Sequence, residues 1–298
     1  MKRRFFTLDV FTQKKFAGNP LAVVLEPDGL DTPAMQAIAR EFGHPETVFV
    51  FPPENSKHRA ALRIFTPAAE IPFAGHPTVG TAVLLATLDG ATTREFVLEE
   101  KVGNVPCRFE PRTADTGYVR FTIPSLPAAI GDLPAKAEIA SALSVTPDDI
   151  GLDGIAPACW SAGNPFSFVP LKNLDAIARC QPDPAHFEKV LGAGGPAKVY
   201  MFCEQTTEAG NDFHARMFAP RMGTPEDPAT GSAAAAFAGL LAMSGRYDDG
   251  DHTLRIEQGY EMGRPSLIEL GLSLRGGKLT SATVGGSAVT VTEGAISA

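Results

Sequence analysis

Short sequence motifs recur, in the same order, about half the chain length apart. Ala17-Gly18-Asn19-Pro20 returns as Ala162-Gly163-Asn164-Pro165, Phe65-Thr66-Pro67 as Phe218-Ala219-Pro220, and His76-Pro77-Thr78-Val79-Gly80-Thr81-Ala82 as Asp227-Pro228-Ala229-Thr230-Gly231-Ser232-Ala233. The strand-like run 47–51 (TVFVF) answers 198–202 (KVYMF). A duplicated order of this kind constrains the fold more than any single element, because each half must build the same supersecondary unit. Two structurally equivalent halves are therefore expected.

Within a half, short β-branched or aromatic runs bounded by Gly and Pro read as strands, among them 3–10, 21–25, 63–66, 95–99 and 119–123. A helix is expected from a Thr32 cap through Pro33 to Phe42, stopped by Gly43. Segments 77–88 and 228–243 contain no charged residue and are apolar on every side, so they belong in interiors. An all-apolar helix embedded in a half otherwise made of strands predicts a sheet wrapped around it. The expected fold class is α+β: two pseudo-symmetric domains, each a mixed β-barrel around one central apolar helix. Residues 1–124 form the first domain and 135–280 the second, with a Pro-rich linker over 124–134 containing Ser125, Pro127 and Gly131. Segment 281–298 carries a closing strand, which the residues alone assign to neither half.

His76 and Asp227 each precede a proline. That spacing predicts both as N-caps, with Pro77 and Pro228 as first helical residues. The backbone N–H groups of the following turns would then attract a carboxylate or phosphate. Asp227 in such a place serves equally well as an ordinary cap, whereas histidine is a poor cap, and poor local choices concentrate at functional positions. A satisfied core histidine is the competing reading of His76. Glu46 stands just before strand 47–51, and an offset of 151 residues gives it Ala197 as counterpart, so the halves differ in a carboxylate. At a strand edge it could be a plain surface residue. Flanked by apolar groups, its pKa would rise toward neutrality and suit it to accept and return a proton.

Several function classes are excluded by what is missing. Gly192-Ala193-Gly194-Gly195 lacks the third glycine of a dinucleotide loop, and Gly276-Gly277-Lys278-Leu279 lacks the P-loop hydroxyl, so no nucleotide cofactor is expected. There is no HExxH, the six histidines are scattered, and Cys107, Cys159, Cys180 and Cys203 form no CxxC pair, so no metal is expected. Ser232 lies outside any GxSxG elbow. With 26 Lys+Arg against 34 Asp+Glu the net charge is −8, which disfavours nucleic acid. The basic start at Met1–Arg4 meets Asp9, Thr12 and Gln13 before any long apolar run builds up, so no membrane partner and a cytoplasmic location are expected.

Taken together, 9–11 (DVF), 16–24 (FAGNPLAVV), Glu46-Thr47, 73–80 (FAGHPTVG), 226–233 (EDPATGSA), Gln258-Gly259 and 263–266 (GRPS) resemble the phenazine-biosynthesis PhzF-like isomerases, nearly end to end. The resemblance implies the diaminopimelate-epimerase fold, with the active site between its two domains and the C-terminal strand returning to the first. It implies Glu46 as the proton-transferring residue, His76 and Asp227 as its catalytic partners, and no cofactor. Gly75, Gly231 and Ser232 would offer donors to a small carboxylate substrate. The family's named reaction is isomerisation of trans-2,3-dihydro-3-hydroxyanthranilate, and a homodimer is implied as well. Two competitors remain: an epimerase or racemase of the same fold, against which the single glutamate argues, and a non-catalytic carboxylate-binding protein.

Overall fold

The computed structural model describes every residue except 91, 93, 114, 184, 193–196 and 223. The chain divides into two compact units, Met1–Pro124 with Thr283–Ala298, and Ser125–Ala282. The Ala193-Gly194-Gly195 stretch considered above for a nucleotide loop lies outside the described residues.

Unit 1 runs β1 (Lys2–Val10), β2 (Asn19–Leu25), α1 (Thr32–Phe42), β3 (Glu46–Phe51), β4 (Ala60–Phe65), β5 (Glu70–Ile71), α2 (Gly75–Leu88), β6 (Glu95–Glu100), β7 (Gly103–Pro111) and β8 (Thr116–Thr122). Unit 2 runs β9 (Ala128–Gly131), α3 (Lys136–Leu143), β10 (Ala158–Ser161), β11 (Pro165–Pro170), α4 (Leu174–Arg179), α5 (Phe187–Leu191), β12 (Val199–Cys203), β13 (Phe213–Ala219), β14 (Thr224–Asp227), α6 (Gly231–Met243), β15 (Gly250–Gln258) and β16 (Ser266–Arg275). The last strand, β17 (Lys278–Ser297), contains the boundary between the units.

In unit 1 the pairings close a ring. β17 lies antiparallel to β1 and β1 to β2; β2 runs parallel to β3; β3 is antiparallel to β4; β4 is parallel to β6; and β6, β7, β8 and β17 follow antiparallel. Such an eight-stranded mixed barrel leaves no open edge. Inside it lies α2, buried from Gly75 to Ala86. Its fit is close: a Cβ on Gly80 would stand 2.6 Å from Leu21 Cδ2 and 2.7 Å from Val10 Cγ2. Outside, α1 covers Val24, Phe49 and Phe65 with Met35 and Ala39. Its cap is Asp31, which accepts from the Ala34 N–H at 2.8 Å, one residue earlier than the Thr32 expected; Gly43 closes it at φ 63°.

Unit 2 repeats the same order of senses: β10–β11 antiparallel, β11–β12 parallel, β12–β13 antiparallel, β13–β15 parallel and β15–β16 antiparallel. The barrel surrounds α6, which packs against β9, β10, β11 and β16. Aromatic rings fill the space around Phe237: Phe202 at 4.5 Å, Phe213 at 5.2 Å, Phe168 at 5.5 Å and Tyr200 at 6.0 Å.

Three local expectations are corrected. Residues 128–131 are the strand β9, antiparallel to β10, and so part of the sheet rather than of a linker. α2 begins at Gly75 behind an extended Ala74, which places His76 inside the first turn instead of at the cap. α6 begins only at Gly231, with Thr230 at the N-cap position, so Asp227 ends β14. The two helices thus start at different points of the shared motif.

Candidate active site

In unit 1 the parallel pairing of β2 with β3 sets Leu21 opposite Glu46 and so delivers Glu46 beside the start of β2 at Asn19-Pro20. The first turn of α2 brings His76 to the same place, with its Nε2 3.1 Å from Glu46 Oε2. Both are secluded, the side chains 5% exposed for His76 and 16% for Glu46. The two atoms approach without the alignment of a full hydrogen bond.

The other imidazole nitrogen bonds the backbone of Pro20. Proline has a carbonyl but no N–H, so histidine is the donor there, which fixes the tautomer and turns the lone pair of Nε2 toward Glu46. Burial, reinforced by the nearby His44, lowers the His76 pKa from 6.5 to about 3. His76 is therefore neutral at physiological pH. His44 was not singled out in the sequence, since its ring reaches the site only through the turn that joins α1 to β3.

In unit 2 Asp227 is buried at the end of β14 and accepts from the Thr230 hydroxyl at 2.6 Å. The Gln258 amide clamps this turn, donating to the Asp227 carbonyl at 2.7 Å and accepting from the Thr230 N–H at 3.1 Å. Gly259, at φ 81°, is required behind it, because a Cβ there would meet the Pro228 carbonyl at 2.6 Å. With the Thr230 hydroxyl committed to Asp227, α6 has no side-chain cap, and α2 has none either. Gly75, Gly231 and Ser232 thus occupy uncapped, buried first turns whose N–H groups are suited to an anionic oxygen. Beneath Asp227, burial and then the aspartate's charge push the Tyr200 phenol pKa upward, so it stays a neutral donor.

The structure brings Glu46, His76 and Gly75 together in unit 1, and Asp227, Gly231 and Ser232 together at the start of α6. The backbone N–H groups of Thr78 and Thr230 are expected at the helix starts, but not their hydroxyl bonds to the buried Glu100, at 2.7 Å, and to Asp227; Glu100 and Tyr200 are not expected at all. Nothing in their local sequence marks them as polar residues turned inward.

A family model described as "Phenazine biosynthesis-like protein" matches residues 8–294. The chain is 47% identical to an uncharacterized isomerase of Mesorhizobium japonicum and 34% identical to the trans-2,3-dihydro-3-hydroxyanthranilate isomerase of Pseudomonas fluorescens, in each case over 98% of both proteins. The crystal structure of a PhzF-family phenazine biosynthesis protein from Bacillus anthracis superposes with a TM-score of 0.88 at 28% identity, covering 100% of both chains. With the duplicated barrel around an apolar helix and the matching motifs at both helix starts, the chain belongs to the PhzF-like isomerase family.

Proposed function

We propose that this isomerase moves a proton within a small cyclic or unsaturated carboxylic acid, that it needs no cofactor to do so, and that Glu46 carries the proton. The observation that carries this reading is the secluded Glu46 oxygen 3.1 Å from the Nε2 of a neutral, tautomer-fixed His76. The relatives named for trans-2,3-dihydro-3-hydroxyanthranilate supply the substrate class. In the forward step a substrate C–H bond breaks, its proton goes to the Glu46 carboxylate, and the electron pair enters the conjugated system. In the return step the same carboxyl group protonates a different carbon, so the double bonds shift without net oxidation. A charged imidazolium beside Glu46 would weaken it as a base, and burial of His76 prevents that. Asp227 is assigned to the substrate's amino or hydroxyl group. The first turns at Gly75, Gly231 and Ser232 donate to oxygens on which negative charge grows.

Steady-state kinetics on trans-2,3-dihydro-3-hydroxyanthranilate test the assignment. Glu46→Gln keeps the side chain's shape and removes its acid–base function, so kcat is expected to fall on the order of a hundredfold to ten-thousandfold. A kcat equal to that of the wild type would remove Glu46 from the mechanism.

A further inference from the structure

The strand register identifies the counterpart of Glu46 in unit 2, and it is an ionisable residue. In unit 1 Phe49 pairs with Val24 on one side and Arg63 on the other; in unit 2 Met201 pairs with Val169 and Arg216 in the same way. The two arginines are equivalent by their bonds as well: Arg63 makes a two-pronged bond to Glu70 at 2.9 and 2.8 Å, and Arg216 one to Glu226 at 2.7 and 3.0 Å. Three residues before Phe49 stands Glu46, and three before Met201 stands Lys198. The Ala197 assigned by motif offset is thereby corrected, because the chain from this position to the helix-start motif is one residue shorter in unit 2.

Lys198 also has the properties of a ligand group. Lys198 immediately precedes β12; Tyr200, two residues on and so on the same side of the chain, packs against Phe237 of α6, so this side looks inward. The Lys198 ammonium lies 5.5 Å over the Phe166 ring and donates to the side chain of Asn164 in the repeated Ala-Gly-Asn-Pro turn. It is half-buried, yet no carboxylate pairs with it among the described residues. Burial lowers its pKa, as expected for a cation short of counter-charge. Along the same side, the Tyr200 phenol feels the charge of Asp227.

We propose that Lys198 binds the carboxylate of the substrate, so that the position which carries the proton in unit 1 carries the anion anchor in unit 2. This rests on the reading of the protein as an isomerase of small carboxylic acids. A half-buried ammonium over an aromatic ring, already holding one neutral acceptor, gains most from an anionic oxygen, which supplies the missing charge and a charge-assisted hydrogen bond.

Binding separates this claim from the one about Glu46. Anthranilate, whose aromatic ring cannot isomerise, and its neutral carboxamide are titrated calorimetrically into wild type, Lys198→Met and Lys198→Arg. Wild type is expected to prefer the carboxylate at least tenfold, Lys198→Met to lose that preference, and Lys198→Arg to recover part of it. In turnover of trans-2,3-dihydro-3-hydroxyanthranilate, Lys198→Met is expected to raise KM more than tenfold while kcat falls less than threefold. No preference in wild type, or an undiminished preference in Lys198→Met, overturns the proposal. A collapse of kcat with KM unchanged overturns it as well, and makes Lys198 a proton carrier instead. None of these outcomes alters the Glu46→Gln test.

Discussion

His76 occupies the second position of a helix, buried, its ring fixed by the carbonyl of a proline. Its folded-state pKa of about 3 lies below the ordinary 6.5, so below pH 6.5 the unfolded chain takes up a proton that the folded chain refuses. The stability this residue contributes is complete above pH 6.5 and is lost as pH falls toward 3. Between pH 6 and 5 the unfolding free energy should fall by about 1.2 kcal/mol more in wild type than in His76→Asn, as measured by urea unfolding. Glu100 has the opposite sign. Burial raises its pKa from 4.5 to about 8, despite the Thr78 hydroxyl bond, so it holds a proton in the folded state through neutrality. Its effect is to reduce stability as pH rises from about 4.5 to about 8. Glu100→Gln, which installs the amide found at the corresponding strand end in Gln258, should melt higher than wild type at pH 8 and nearly alike at pH 5. Equal melting temperatures at pH 8 would contradict a buried neutral acid. The sequence made His76 legible because histidine is a poor choice at a helix start. Glu100 was invisible in the acidic run Glu99-Glu100, since only burial tells the two apart: Glu99 bonds the backbone N–H groups of Glu54 and Asn55 near the surface.

At the level of elements, the interior helices were legible from their uncharged composition, and their starts were not. Proline preceded by a polar residue is an N-terminal signal, but at α2 an extended Ala74 takes the cap position, and at α6 the Thr230 hydroxyl turns to Asp227 instead of to the helix. Tertiary bonds outcompeted the local rule where substrate groups are proposed to sit. Likewise β9 reads as a Pro-rich connection because its four residues are exposed and short, and only the register with β10 makes it a strand. The helix-to-wall contacts give a direct test: Gly80→Val forces side-chain carbon into Leu21 and Val10 and should cost on the order of 1–3 kcal/mol in denaturant unfolding. In unit 2, Phe237→Ala empties the centre of the aromatic cluster and should cost about 3–5 kcal/mol.

For the whole molecule, duplication accounts for the scaffold, and the proposed chemistry rests on the positions at which the two copies differ. The order of strand senses is shared, as are the Arg63–Glu70 and Arg216–Glu226 pairs and the carboxylates of Glu99 and Glu257, each of which accepts backbone N–H groups and a histidine in its own unit. The residues at these equivalent positions are unlike: Glu46 and His76 in one unit, Lys198 and Asp227 in the other. Motif spacing revealed the repeat but misplaced the counterpart of Glu46 by one residue, an error only the pairing register corrects. No described helix is long and apolar enough to cross a membrane. Whether one carboxyl group removes and returns the proton is read out by proton NMR of trans-2,3-dihydro-3-hydroxyanthranilate incubated with the protein in heavy water. Wild type is expected to give a rearranged product carrying solvent deuterium at a single carbon, and Glu46→Gln neither rearrangement nor exchange. Rearrangement by Glu46→Gln at the wild-type rate would contradict this expectation.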